Sequence, residues 1–141
     1  MYISLFNEFL LSDDTLRVYK DSKVLFSSNK DRLLPLLEYI DRFAPYHRQV
    51  VVFDKIMGNA AALLSIAAGC QEVWSPLGSQ LAVKTFEKYG IKYHITGIVP
   101  YIQQPNREDM CPMEKLSLDK EPGEFHEAIG SILKQEDERH G

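Results

Sequence analysis

Residues 50–64 read VVVFDKIMGNAAALL, and the reading of this stretch decides the fold. Val50 to Phe53 is an apolar run rich in β-branched residues, the pattern of a strand buried on both faces. It stops at a carboxylate and an ammonium, Asp54 and Lys55. After Gly58 comes NAAALLSIAA, residues 59–68, with high helix propensity and an apolar surface nearly all round. Such a helix has to be covered on most of its sides. Gly69 is placed to give it a left-handed cap.

Similar units follow on the C-terminal side. Glu72 to Ser75 reads as a short strand. Ser79 then caps a helix whose face is Ala82, Phe86 and Tyr89 and which Gly90 closes. Ile91 to Val99 alternates as a further strand, with Ile91, Tyr93 and Ile95 on one side. The polar segment PYIQQPNREDMCPMEK, residues 100–115, is long for a connection in a compact domain, and long loops of that kind are more often functional than accidental. A last helix is predicted from about Pro122 to Gln135, with Phe125, Ile129, Ile132 and Leu133 on its face. The charged tail at about 136–141 is predicted to fray.

On the N-terminal side, Asp31 reads as the cap of a helix with Leu33, Leu37 and Ile40 on one face. Pro35 is acceptable in its first turn, and Ala44 and Pro45 end it. Residues 15–28 read as a hairpin turning at Asp21 and Ser22, with Leu16 and Val18 on one face of one strand and Val24 and Phe26 on one face of the other. Leu5, Phe6, Phe9 and Leu10 recur at helical spacing within residues 3–11. Strands alternating with helices demand parallel pairing and right-handed crossovers. The expectation is one α/β domain over residues 1–141. Its mixed sheet has an antiparallel hairpin at its margin and helices on both faces, a three-layer α/β/α arrangement.

Composition narrows the partners. The chain has 141 residues and a formal charge of −4, with acids and bases mixed along it. No basic stripe points to duplex nucleic acid, and no basic block points to an anionic membrane surface. Polar residues interrupt every apolar run before it reaches the length of a bilayer span. MYISLFNEFLL lacks a positive n-region and is broken by Asn7 and Glu8, so it reads as mature sequence. The two cysteines, Cys70 and Cys111, are far apart and have no C-x-x-C partner, which favours a reducing compartment, the cytoplasm.

In open α/β sheets ligands gather beyond the carboxyl ends of the strands, where Asp54 and Lys55 stand. The helix starting near Asn59 turns its free N–H groups to the same space and attracts anions. Gly58 allows close backbone approach. Lys55 could hold a phosphate or carboxylate. Asp54 could accept from a ribose or a base, act as a general base, or form a covalent adduct. The structural alternative makes Asp54 a turn residue and sends Lys55 to solvent. The D-K-x-x-G pattern is no phosphate loop, since it lacks the Walker and dinucleotide glycine spacings. The second cluster is MCPMEK, residues 110–115. Pro112 suits the first position of a short helix, which would set Cys111 at a helix N-terminus, where thiols become reactive. Alternatively Cys111 is an apolar plug, Met113 core filling, and Glu114 and Lys115 a solvated face.

These stretches, VYKDSKVLF, VVVFDKIMGNAAALL, YGIKYHITGIVPYI and CPMEKLSLD in that order, resemble the DUF1893 family of proteins of unknown function. The resemblance implies a cytidine-deaminase-like fold. Zinc deaminases carry H-x-E or C-x-E followed by P-C-x-x-C. Here DKIMGNAA and SPLGSQLA stand at those places, and neither holds a histidine or cysteine. The four histidines, His47, His94, His126 and His140, are not at ligand spacing. A catalytic zinc needs three protein ligands, so neither a zinc site nor zinc-dependent deamination is expected.

If the loop at 100–113 folds back over the sheet edge, Asp54, Lys55, Gly58, Asn59, Cys111, Glu114 and Lys115 would meet in one pocket. The leading reading is a metal-free module that binds a nucleotide or another phosphate-bearing metabolite. A protein-interaction role is the alternative, as is a zinc-independent enzyme using Asp54 or Cys111. The nearly all-apolar helix at 59–68 also raises the expectation of a homo-oligomer that covers it.

Overall fold

The computed structural model describes residues 2–44, 46–103 and 109–140, with side chains as far as Ile132. Five strands form one sheet: β1 (Leu16–Lys20), β2 (Lys23–Ser28), β3 (Val50–Asp54), β4 (Cys70–Ser79) and β5 (Lys92–Val99), in the order β2-β1-β3-β4-β5. β1 is antiparallel to both of its neighbours, whereas β3, β4 and β5 run parallel. The helices are α1 (Ile3–Leu11), α2 (Leu34–Phe43), α3 (Asn59–Ala67), α4 (Gln80–Tyr89), α5 (Pro112–Ser117) and α6 (Pro122–His140).

Alternation along β3 sorts the core into two layers, because successive strand side chains point to opposite faces. Val50 and Val52 join a core with residues of α2, α3, α4 and α6, while Val51 and Phe53 join one with Tyr2, Phe6 and Phe9 of the α1 segment. The sheet therefore lies between α1 on one face and the remaining helix layer on the other, as the three-layer expectation requires. The second core is almost wholly aromatic: the Phe53 ring lies 4.8 Å from Tyr19 and 5.4 Å from Phe6, at the tilted and edge-on angles that rings prefer.

Helix α3 is buried from Asn59 through Ser65. Residues of α2, α4 and α6 pack around it in the same core, and α5 docks at its start. Its apolar surface is thus covered by its own chain, which removes the reason for expecting a second copy. Gly69 follows it at φ 86°, left-handed as predicted, and Gly90 closes α4 at φ 69°, also left-handed. The Ser79 side chain accepts the N–H of Ala82 and caps α4.

Several boundaries differ from the sequence reading. Asp31 does not cap α2. Arg32 takes a positive φ of 60°, and the helix starts behind Leu33 with no side-chain cap. It ends at Phe43, and Pro45 lies outside the described residues. Val24 and Phe26 do not share a face. The ladder pairs Val18 with Phe26 but Tyr19 with Val24, and this bulge leaves Val24 exposed and Phe26 buried. β4 runs on to Ser79 through Pro76. Beyond Trp74 it no longer pairs with β3, so the missing N–H of Pro76 costs no bond on that side. α6 runs from Pro122 to His140, past the predicted end at Gln135, and Gly141 lies outside the described residues.

No helix among the described residues is long and apolar enough to cross a membrane.

Candidate functional site

Strand alternation also separates Asp54 from Lys55. Asp54 is 8 % exposed, and its Oδ1 accepts the N–H of Ile56 at 3.2 Å. Burial pushes its carboxyl up from 3.8 to about 7, against the pull of the neighbouring backbone N–H groups. Lys55 leaves by the opposite face. Its Nζ donates to the carbonyl oxygens of Ser12 at 2.9 Å and Asp14 at 2.8 Å, and it sits 4.7 Å from the centre of the Phe9 ring. Lys55 thus fastens the chain that leaves α1 and does not share a cavity with Asp54.

The N-terminus of α3 does hold an anion, and the chain itself supplies it. Glu114, 2 % exposed, accepts the N–H of Asn59 on Oε1 and the N–H of Ile102 on Oε2, the latter at 2.9 Å. The alternative that puts Glu114 on a solvated face does not hold, because α5 turns this carboxylate inward against the helix end. Gly58 makes the approach feasible. A Cβ there would lie 2.7 Å from Ile102 Cγ1 and 3.0 Å from Glu114 Oε1. Cys111 precedes α5, half-buried, with its N–H on the carbonyl of Ile102 at 2.8 Å, and Lys115 is exposed. The structure thus brings together Gly58, Asn59 and Glu114, and leaves Lys55 and Lys115 outside the group. The part of the long loop at 104–108 lies outside the described residues, and Gln103 pairs with Met110 across it.

Asn59 links this buried cluster to an open cavity. Its Nδ2 donates to the Ser117 Oγ at 3.0 Å and carbonyl at 3.3 Å, and its Oδ1 accepts from Thr85 Oγ1. Ser117 Oγ donates in turn to the carbonyl of Glu114 at 2.6 Å. On the outer side of these three residues lies a cavity of about 420 Å³. Lys88 and Lys120 stand at its wall beside the carboxylates of Asp119, Glu121 and Glu124, and Tyr89 and Leu63 complete it. Of the candidate site residues read from sequence, Asn59 alone lines it, and Tyr89, read there as part of the helix face, stands in its wall. Thr85, Lys88, Ser117 and Lys120 were missed. The signal for them was present but ordinary: Lys88 lies on the polar side of α4, and Asp119 to Glu121 is a polar run between helices.

Among the described residues, no group of three or more histidine, cysteine, aspartate or glutamate side chains is placed to hold a metal ion.

The chain defines an α/β protein whose carboxyl sheet edge is sealed by an internal glutamate and flanked by a polar cavity. It belongs to the DUF1893 family, a domain of unknown function, whose profile matches residues 6–133. It is similar to the crystal structure of a DUF1893 family protein, TM1506, from Thermotoga maritima. The two are 27% identical, with a TM-score of 0.82 over 92% of this chain and 87% of that one. No curated protein matches the chain.

Proposed function

We propose that this protein is a metal-free binding module for a small phosphate-bearing metabolite of the nucleotide class. The observation that carries the reading is the cavity beside Asn59, about 420 Å³, lined by two lysines and three acidic residues. That volume is within the range of small-molecule sites. Lys88 and Lys120 suit a phosphate. Asp119, Glu121 and Glu124 suit the hydroxyls of a sugar, which need acceptors. Tyr89 offers a ring edge or face to a base. The floor of Asn59, Thr85 and Ser117 is internally hydrogen-bonded, so the site exists before a ligand arrives. We read the sheet order and helix placement as the deaminase-like arrangement that the family resemblance implies, used here for binding.

Adenosine monophosphate tests this. Ligand at a hundred times its dissociation constant should stabilise the fold by roughly 2.7 kcal/mol, visible as a thermal shift. The shift should vanish in a Lys88→Ala/Lys120→Ala double variant. No shift at millimolar nucleotide, sugar phosphate or phosphate would reject the reading.

A second reading keeps one observation of its own. Asp54 is a buried carboxyl held near neutrality, the condition of a general base. It does not line the cavity, so a zinc-independent enzyme would need Asp54 to be reached from Ile56 and the sheet edge. Turnover of any substrate that survived Asp54→Asn would exclude this role.

A further inference from the structure

On the other face of the sheet lies a second groove, of about 460 Å³, between the start of α1, the hairpin turn and the first residues of β4 and β5. It stands independently of the cavity at Asn59. An aromatic column leads to it. Phe6 lies 5.3 Å from Trp74, and the imidazole of His94 stacks on the indole at 3.9 Å and 22°. Glu72 lies against both rings. Its Oε2 accepts the indole N–H at 2.6 Å and lies 3.1 Å from His94 Nε2. The column ends at His94 because β5 is the edge strand. Among the described residues no other ring lies against the imidazole, which is 34% exposed.

We propose that this groove binds a flat, uncharged heteroaromatic ring that extends the column by stacking on His94. Stacking needs a held ring with a free face, and Trp74 holds this one from its other side. The Gln71 amide, the Ser22 hydroxyl and Lys92 line the same groove. The charges disfavour an anionic ligand. Asp21 and Glu72 line the groove against the single lysine, Lys92, so a phosphate gains nothing there.

Trp74 is the chain's single tryptophan and touches the proposed site, so its fluorescence reports binding there. The probes are adenosine and adenosine monophosphate. Adenosine should quench Trp74 saturably, and the monophosphate should bind no more tightly. His94→Ala should weaken adenosine by about fivefold or more, the range of stacking on an aromatic side chain. His94→Phe, which keeps a ring, should retain most of the affinity. Matching circular dichroism of both variants guards against misfolding. The proposal is overturned if adenosine gives no saturable quench, or if His94→Ala binds as wild type does. It is also overturned if quenching requires the phosphate and disappears in the Lys88→Ala/Lys120→Ala variant, which would assign the signal to the other cavity.

Discussion

Glu114 closes the N-terminus of α3 by accepting the backbone N–H of Asn59, fifty-five positions away in sequence. The helix end that would attract an external anion is satisfied from within, and the same carboxylate fixes Ile102. Glu114→Ala should leave one buried donor, Asn59 N–H, and one half-buried donor, Ile102 N–H, without partners. The expected loss is on the order of 2–4 kcal/mol of unfolding free energy. Glu114→Gln, which keeps one acceptor but loses the charge, should lose about half of that. Urea denaturation measures both.

Gly58 takes φ −80°, so an alanine there meets no backbone strain. The cost comes from its Cβ, at 2.7 Å from Ile102 Cγ1 and 3.0 Å from Glu114 Oε1. Gly58→Ala should destabilise by about 1–3 kcal/mol, as overpacking does. Adding Ile102→Ala should recover part of the loss relative to the sum of the two single variants. Simple additivity of the two changes would show that the clash is not what makes glycine necessary.

Asp54 gives the fold a pH dependence of definite sign. Its folded value of about 7 stands above the ordinary 3.8. Between the two, the folded chain holds a proton that the unfolded chain has released, so stability falls as pH rises through this window and levels off above it. Wild type should be less stable at about pH 8 than at about pH 5, with Asp54 contributing on the order of 2–4 kcal/mol to the difference. Asp54→Asn should flatten this part of the profile. A profile unchanged by that substitution would show that Asp54 ionises freely in the fold.

Lys55 is predicted to act on stability and not on binding. Lys55→Met removes two charge-assisted bonds, to Ser12 and Asp14, while keeping the stem over Phe9. The expected cost is about 1–3 kcal/mol. Nucleotide affinity should stay the same, measured by calorimetry on the folded variant.

The elements were legible because their signals are local. The β-branched run of β3, the alanine-rich α3, the Ser79 cap and the glycines at 69 and 90 each declare themselves within a few residues. The fate of Lys55 was also written in β3, since one step along a strand reverses the face, but adjacency in sequence suggested adjacency in space. The burial of Glu114 was not legible. It depends on α5 docking against a helix fifty-five residues earlier, and a glutamate in a polar six-residue helix has no pattern of its own. Lys88 and Lys120 come from separate elements and meet only through the packing of α4 and the α5–α6 connection around Asn59. Val24 misled because a bulge is a change of register that alternation alone does not reveal.

The most direct measurement of the central claim is heteronuclear NMR of the Asn59 side-chain amide while adenosine monophosphate is added. Saturable shifts are expected at Asn59, Thr85 and Ser117, with Lys88 and Lys120 following the same isotherm. Shifts confined to residues elsewhere, or none at millimolar nucleotide, would contradict the claim.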